Sequence, residues 1–331
     1  MKNQKRDFFE IFFETGLYRI CILLVMCVVM TFLSPSFLKI SNLFNVCRQA
    51  SVLLILSACA TGCILTHGID NSLGGVMSLC GCACGWFLNH DYPIAAAILL
   101  TIMIGVAFGC INGFLIGIVK IPPFVSTYGV SYIANGLALI LMGSDIFSGF
   151  PKAFRNLAAG KFIGGFPLIT VWALLVTLIM YILLQKSNFG RQVYSVGANY
   201  TASRYSGINT IATLFIVYIL SGCGAALAGV LQTARQSAAQ AGMGDTFQMT
   251  AIASIVIGGT SMSGGEGSVF GAIIGALIIT LIVNAMNLLG VAPLAQSIVT
   301  GAVIVLAVFL DVELKRIQAN RAARASSSIK S

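Results

Sequence analysis

Most of the side chains that could do chemistry in this chain are uncharged and lie within long apolar segments. Amides and hydroxyls of this kind can exchange hydrogen bonds with the hydroxyl groups of a neutral solute without imposing a charge. Each one alone is more typical of a hydrogen bond between helices, but the set predicts a path for a polar, uncharged solute. The candidate path residues are Gln49, Asp70, Asn71, Asn112, Ser126, Asn135, Asn284, Asn287 and Gln296.

The carboxylates are few and poorly placed for proton-driven transport, which requires acidic side chains at membrane depth. No glutamate lies between Glu14 and Glu266, and the aspartates at positions 70, 91, 145 and 245 all fall at the ends of apolar segments. An aspartate at a helix break, such as Asp70, is more often an N-cap than a ligand. The sequence therefore disfavours self-driven transport.

One short run matches a proteolytic motif. Gly242 to Asp245 has the G-x-G-D pattern of intramembrane aspartyl proteases. These proteases require a second aspartate to share a proton with the first, and no partner motif accompanies this run. A membrane enzyme is therefore kept only as an alternative.

Nucleotide and metal chemistry are also disfavoured. Two glycine-rich breaks, 67–75 and 258–267, lack the G-x-x-x-x-G-K-[ST] pattern that cradles phosphates, and the pattern is absent from the whole chain. ATP and its Mg²⁺ are therefore expected in a partner subunit. Cys80, Cys82 and Cys84 have no His, Asp or Glu at ligand spacing, and a helix would turn Cys82 away from the other two. We expect the chain to hold no metal and no cofactor.

The composition indicates the class of protein that carries these residues. Of 331 residues, 58% are hydrophobic and only 9% are charged, and the mean hydropathy is +0.95. A water-soluble globule does not have this make-up, so we expect an all-α polytopic membrane protein. The net charge of +9 comes from basic residues at the two ends and in loops, which is typical of membrane orientation and not of nucleic-acid binding.

About ten transmembrane segments are predicted. Eight are long enough, or nearly so, to cross a hydrocarbon core of about 30 Å, and two shorter ones are expected to be half-helices buried inside the bundle. The long segments are 17–33, 44–66, 94–119, 124–142, 167–184, 211–231, 269–289 and 294–310, and the short ones are 76–88 and 249–258. The first could be mistaken for a signal peptide, but no A-x-A-like cleavage site follows it.

An even number of segments puts both ends of the chain on one side of the membrane. If that side is the cytoplasm, 13 of the 19 basic residues lie inside, as the positive-inside rule favours. The predicted organisation is a cytoplasmic segment at 1–16, a transmembrane domain at 17–310 and a cytoplasmic tail at 311–331. The stretch 143–166 is then an outward-facing loop.

Glycines at four-residue spacing indicate an internal repeat. Four are expected in one segment and three in another, namely Gly105, Gly109, Gly113 and Gly117, then Gly267, Gly271 and Gly275. Small residues at this spacing let helix backbones approach closely, which is the role we expect for them. The two halves, about 17–142 and 167–310, hold five segments each, so the second half is predicted to be inverted relative to the first.

A polar island at 186–209 separates two long apolar segments. Asn199 is a good N-cap, Tyr200 to Ser206 contains no helix breaker, and Gly207 is expected just after a helix C-terminus. We therefore predict a helix of about two turns, which needs a packing partner because so short a helix is marginal in water. An ordinary connecting loop is the alternative.

The island resembles the cytoplasmic loop of ribose-type permeases, the membrane subunits of bacterial ATP-binding cassette (ABC) sugar importers. It shares with them Gly190-Arg191, Gly197-Ala198-Asn199, Ala202 and Ser206 to Asn209. Further matches lie at 66–75, 120–124, 251–265 and 287–291, so the resemblance runs through nearly the whole chain in the family's order. One departure is Asn71, which replaces the usual apolar residue after the family's Gly-Ile-Asp signature.

The resemblance implies that an ATPase subunit docks on the island, and it assigns Gly242 to Asp245 to an external loop. It also implies an extracytoplasmic sugar-binding protein, a second permease copy forming a homodimer, and a place in the bacterial inner membrane. The coupling residues expected on the island are Gly190, Arg191, Gly197, Asn199, Ala202, Arg204, Ser206 and Gly207.

These expectations define a function. The chain is predicted to be the permease of an ATP-driven, binding-protein-dependent importer for a ribose-like monosaccharide, and not itself an enzyme. A permease of the same architecture for a non-sugar solute, such as a nucleoside or a furanone signal, is the alternative within the same class.

Overall fold

The computed structural model describes residues 17–143, 145–292 and 294–303, together with 305, 306 and 309. Six of its helices are long and apolar enough to cross a membrane, and four shorter apolar helices accompany them. The predicted all-α polytopic membrane fold is confirmed. The predicted cytoplasmic segment 1–16 and tail 311–331 lie outside the described residues.

The helices are named here in chain order. They are α1 (Leu17–Leu33), α2 (Ile40–Leu65), α3 (Leu73–Asn89), α4 (Ile94–Gly117), α5 (Pro123–Met142), α6 (Lys152–Ala159), α7 (Leu168–Tyr181, continued by a π-helical turn Ile182–Lys186), α8 (Asn188–Ala198), α9 (Tyr200–Tyr205), α10 (Thr210–Gln236), α11 (Asp245–Ile257), α12 (Val269–Leu288) and α13 (Leu294–Val303). The four shorter apolar helices are α1, α3, α11 and α13. Two short strands, β1 (Phe147–Ser148) and β2 (Ala238–Ala239), pair antiparallel.

The glycines of α4 lie where its backbone meets α10. A Cβ at Gly109 would lie 2.5 Å from the carbonyl oxygen of Tyr218, and one at Gly113 would lie 3.0 Å from the Cα of Phe215. Only glycine lets the two backbones come so close. Because lipid is as apolar as the helix surfaces, such close packing is what holds helices together in a membrane. The close-packing role predicted for this ladder is confirmed.

The second ladder is shorter than predicted. Gly271 and Gly275 lie in α12 and meet the backbone of α11 at Gly258 and Ser254. Gly267 precedes the helix, which begins at Val269, and its φ of +144° belongs to the loop. The prediction is therefore wrong for Gly267, because a positive φ is incompatible with a helix.

The two short helices begin against each other inside the bundle. A Cβ at Gly74, at the start of α3, would lie 2.8 Å from the carbonyl oxygen of Gly244, the residue before α11. Most of α3 is buried, as expected of a half-helix. The helix α11 begins at Asp245 and not at the predicted 249, so Asp245 belongs to the helix and not to the loop before it.

Candidate functional site

The polar island folds into two short helices, each fixed by a side-chain cap. Ser187 Oγ accepts the N–H of Gly190 at 3.1 Å at the start of α8, and Asn199 Oδ1 accepts the N–H of Ala202 at 2.9 Å at the start of α9. Gly207 follows α9 with a φ of +85°. The predicted short helix, its Asn199 cap and its terminating glycine are all confirmed, because each depends on local chemistry.

The eight predicted coupling residues divide into two groups. Gly190 is buried against the backbone of Leu184, and Gly197 is half-buried against the carbonyl of Leu65, so both allow close backbone contact. The other six residues are exposed, namely Arg191, Asn199, Ala202, Arg204, Ser206 and Gly207. Arg191 is held by a hydrogen bond to Asn188 Oδ1. An exposed, capped and polar surface of this kind can receive a partner protein.

The island is also tied to the membrane helices. Tyr194 of α8 donates its hydroxyl to the carbonyl of Gly267 at 2.8 Å. The N–H of Gly265 donates to the carbonyl of Leu65 at 2.9 Å, directly beside Gly197. The end of α2, the second glycine-rich break and α8 therefore form one contact region.

A second tie joins the start of α9 to the turn between α4 and α5. Lys120 Nζ donates to the hydroxyl of Tyr200 at 2.7 Å and lies 4.8 Å from the centre of the Tyr200 ring. Partial burial raises the pKa of Tyr200, but the hydrogen bond from Lys120 and the nearby positive charges lower it, and the net shift of the pKa is downward. Sequence reasoning missed this pair, although Lys120 stands just before the Pro122-Pro123 turn that starts α5.

A cavity of about 550 Å³, here called the central cavity, opens between α2, α11, α12 and α13. Of the predicted path residues, Gln49 and Gln296 line it. Its described lining is Gln49, Leu53, Asp245, Thr246, Phe247, Met249, Thr250, Ile279, Thr280, Val283, Gln296, Ser297, Thr300 and Gly301. The mixture of amides, hydroxyls and apolar side chains is typical of a small-molecule site of this size.

Asp245 is the cavity residue that sequence reasoning failed to select. The N–H of the preceding Gly244 donates to Ser78 Oγ at 2.9 Å. Ser78 lies eleven residues before the end of α3, which at 1.5 Å per residue is about 16 Å from that end. The start of α11 therefore meets α3 within its length and not at either of its ends.

Asn135 stands beside this carboxylate. Its Nδ2 donates to Asp245 Oδ1 at 3.1 Å, and it lies on α5, seven residues before that helix ends. The aromatic residues Tyr128 and Tyr132 precede it at helical spacing and share its face. Both tyrosines are exposed, and their hydroxyls lie 3.1 Å apart.

Asp70 has the opposite environment and does not line the central cavity. It is 3% exposed, and its carboxylate accepts three hydrogen bonds. The N–H of Ser72 donates at 2.9 Å, the Ser72 hydroxyl at 2.5 Å and the Ser221 hydroxyl at 2.6 Å. Asn112 Nδ2 in turn donates to Ser72 Oγ at 2.8 Å. This network joins the break before α3 to α4 and α10.

The other predicted path residues lie in helix contacts or at helix ends. Asn71, Ser126 and Asn284 are buried, and Asn284 exchanges hydrogen bonds with Asn42 at 2.9 and 3.2 Å. Asn287 is exposed at the end of α12 and accepts a hydrogen bond from Gln296 at 2.9 Å. Through this bond it supports a cavity residue without lining the cavity itself.

Comparison with known proteins places this architecture in a family. The family profile described as "Branched-chain amino acid transport system / permease component" matches residues 42–308. The galactose/methyl galactoside import permease protein MglC of Salmonella typhimurium (strain LT2) is 34% identical over 93% of this chain and 96% of its own length. The ribose import permease protein RbsC of Escherichia coli (strain K12) is 36% identical, over 87% of this chain and 91% of its own.

A third relative is the D-allose transport system permease protein AlsC of Escherichia coli (strain K12). It is 37% identical over 88% of this chain and 89% of its own length. A match of this extent to both the profile and the relatives shows common membership. The chain is a multi-pass membrane protein that belongs to the ribose-type permeases of sugar ABC importers.

Proposed function

We propose that this chain is the permease subunit of an ATP-driven, binding-protein-dependent importer of a ribose-like monosaccharide. Relatives named for galactose, ribose and allose transport support a neutral monosaccharide as the solute. The solute passes along the central cavity. One observation carries this assignment, namely that Asp245 is exposed in a cavity lined by amides, hydroxyls and apolar side chains. We infer that it lies at membrane depth, because the residue before it contacts α3 within the length of that helix.

A carboxylate at that depth is costly against lipid and is tolerated where it meets water or a polar partner. The outer face of α5 supports the same conclusion, because it carries the polar Asn135 on the same helix face as Tyr128 and Tyr132. We infer that the side of the bundle formed by α5, α11 and α13 does not face lipid. A second copy of the chain covers it, and the path runs between the two copies of a homodimer.

The topology belongs to this proposal. Six long and four shorter apolar helices make ten segments, with both termini in the cytoplasm of a bacterial cell and the permease in its inner membrane. The two halves are inverted repeats, consistent with short helices that begin at Gly74 and Gly244 and meet inside the bundle. Accessibility mapping should place Gly160 outside and Ser195 inside, and the reverse placement of either residue would rule this topology out.

ATP and Mg²⁺ are used by a separate ATPase subunit that docks on the exposed surface of α8 and α9. This chain then contributes no catalysis, and its part is to convert movement of the island into opening of the path. The ties from the island to Leu65, Gly267 and Lys120 provide the mechanical connection. An extracytoplasmic binding protein delivers the solute on the other side.

The proposal is tested with the complete complex in proteoliposomes. The permease, its ATPase and its binding protein are reconstituted, and uptake of labelled ribose, galactose and allose is measured with and without ATP on the cytoplasmic side. Accumulation that requires both ATP and the loaded binding protein is expected for at least one sugar. Uptake by this chain alone without ATP, or the absence of uptake for all three sugars, would contradict the proposal.

A further inference from the structure

The central cavity and its surroundings contain more hydrogen-bond acceptors than the chain satisfies. Asp245 is exposed, and in the described structure it receives one side-chain hydrogen bond, from Asn135. A carboxylate offers about four acceptor positions, so most of its capacity is free. Gln49 Oε1 and Asn135 Oδ1 are buried, and neither has a hydrogen-bond partner in the described part of the chain.

Buried acceptors without partners are costly, so they indicate where donors are to be supplied from outside. Gln49 on α2 and Asn135 on α5 each carry one such buried acceptor. The exposed carboxylate of Asp245 on α11 adds a third acceptor with unused capacity. Gln49 and Asp245 share the central cavity, and Asn135 bonds directly to Asp245. The arrangement is therefore a composite site and not the property of one helix end.

The charges decide which class of ligand can supply the donors. No lysine or arginine occurs among the described residues that line the cavity. An anionic solute, such as a sugar acid or a sugar phosphate, would bring further acceptors beside a carboxylate and would be repelled by it. A neutral polyhydroxylated solute brings several hydroxyl donors and no opposing charge.

The structure also favours an ionised Asp245 with a fixed orientation. It is the first residue of α11, where the helix dipole favours a negative charge, and Asn135 fixes one of its two carboxylate oxygens. The other oxygen remains free to accept a hydroxyl.

We propose that Asp245, held by Asn135 and sharing the cavity with Gln49, is a subsite that accepts hydrogen bonds from the hydroxyl groups of a neutral polyol in transit. This inference rests on the proposed function, because it assumes that the solute crosses the central cavity. It goes further by naming the groups that contact the solute and the solute groups that they contact.

A merely structural role for Asp245 makes a different prediction. As a first-turn carboxylate it could simply stabilise α11, and its replacement would then lower thermal stability without changing the amount of solute moved per ATP hydrolysed. The subsite predicts the reverse. Solute imported per ATP is therefore the decisive readout, with the melting temperature of the purified permease as the second.

The test compares Asp245→Asn with the wild type in the complete reconstituted complex. Asparagine keeps the size of the side chain and one acceptor oxygen but loses the charge that strengthens hydroxyl hydrogen bonds. We expect sugar imported per ATP to fall about ten-fold, the effect of losing one charge-assisted hydrogen bond, while the melting temperature and ATPase association stay unchanged. Asp145→Asn is the matched control, because Asp145 is exposed outside the cavity, and it should behave as wild type.

Deoxy sugars identify the contact itself. Each monodeoxy analogue of the imported sugar that the binding protein still binds is assayed with both permeases. In the wild type, the analogue that lacks the bound hydroxyl should lose about ten-fold in import per ATP. In the Asp245→Asn variant that analogue and the parent sugar should be imported equally, because a contact already lost cannot be lost twice.

Three results would overturn the inference. Import per ATP that is unchanged in Asp245→Asn would do so, and so would equal losses for every analogue in both permeases. A fall in melting temperature with unchanged import per ATP would assign Asp245 to structure alone. Failure of the wild type to import any sugar is distinct from these results, because it refutes the proposed function and this inference with it.

Discussion

Asp70 lies three residues before the short helix α3, and Asp245 is the first residue of the short helix α11. The two helix starts meet at Gly74 and Gly244. Asp70 is buried, and three donors from Ser72 and Ser221 satisfy its carboxylate. Asp245 is exposed in the central cavity, and among the described residues its one side-chain partner is Asn135. Of two carboxylates near the starts of short helices, one is therefore committed to the fold and the other is available to a solute.

A carboxylate near the start of a short helix is therefore not a transport residue by its position alone. A carboxylate whose lone pairs are filled by the protein stabilises the helix break, and removing it leaves buried donors unpaired. A carboxylate with free lone pairs in a cavity can be removed at little cost to the fold. Burial and hydrogen-bond saturation, and not charge, separate Asp70 from Asp245.

The largest effect is expected for Asp70→Ala. The substitution leaves the Ser72 N–H and the hydroxyls of Ser72 and Ser221 without their acceptor, at a cost of about 3–5 kcal/mol in the free energy of unfolding. We expect little monodisperse permease after purification, as measured by size-exclusion chromatography. Asp70→Asn keeps one acceptor oxygen and should recover part of the yield. Normal yield and stability of Asp70→Ala would show that Asp70 does not stabilise the fold, and the proposed difference from Asp245 would be wrong.

Loss of transport without loss of stability is expected for Gly207→Val. Gly207 has a φ of +85°, a conformation that costs a β-branched residue about 1–2 kcal/mol, so the turn after α9 must change its path. Uptake and stimulation of the ATPase by the loaded binding protein should both fall about ten-fold or more, because about 1.4 kcal/mol corresponds to a factor of ten. The permease itself should still purify normally, since Gly207 has open space around it.

Two controls accompany this variant. Gly207→Asn should retain function because asparagine tolerates the left-handed conformation. Arg204→Glu reverses a charge on the same exposed surface and should also uncouple, whereas Arg204→Lys keeps the charge and should be milder. Full uptake in both Gly207→Val and Arg204→Glu would show that the island is only a connector.

A smaller loss of stability is expected for Gly244→Ala, which displaces both short helices together. A Cβ at Gly244 would lie 3.1 Å from the Cα of Gly74 and closer still to its carbonyl oxygen, so the backbones must separate. Overpacking of this kind costs about 1–3 kcal/mol. The melting temperature should fall, whereas Gly129→Ala on α5, where a Cβ meets nothing within 4 Å, should leave it unchanged. An unchanged melting temperature for Gly244→Ala would mean that the two helix starts are not in firm contact.

The smallest effect is expected for Tyr200→Phe. The ring remains for the contact with Lys120, and only the hydrogen bond to the hydroxyl is lost, which is worth about 1 kcal/mol. Sugar uptake per ATP should fall about two- to five-fold, in proportion to that energy. Lys120→Met removes both contacts and should have the larger effect. Equal, wild-type coupling in both variants would exclude this tie from the coupling route.

Local sequence signals predicted the parts of the structure that depend on local chemistry. Asn199 caps α9, Gly207 ends it and the glycines of α4 touch α10, because a cap, a left-handed residue and a four-residue ladder are each written in a few neighbouring positions. The short stretch 76–88 was recognisable as a buried half-helix by its length. The outcome at Gly267 shows the limit, since spacing alone did not reveal that the helix begins two residues later.

The central cavity could not be predicted in the same way. Asp245 looks like a loop residue in the sequence. It lies in the cavity because the chain after α10 returns to α3, where the N–H of Gly244 donates to Ser78 Oγ. Asn112 and Asn135 are indistinguishable by residue type and segment, yet one is 1% exposed and the other stands beside the exposed carboxylate. Tertiary packing determines which of the two is buried, and the hydropathy of the sequence does not predict it.

A start of α11 that faces water and not lipid is what makes Asp245 available to a solute. Thr246→Cys, in a background without the native cysteines at 21, 27, 47, 110 and 223, tests this with a charged, membrane-impermeant thiol reagent on the reconstituted complex. Leu178→Cys, on an exposed apolar face of α7, is the lipid-facing control. We predict rapid modification at 246, slowed by the imported sugar, and none at 178. A cysteine at 246 that resists the reagent as fully as the one at 178 would contradict the account.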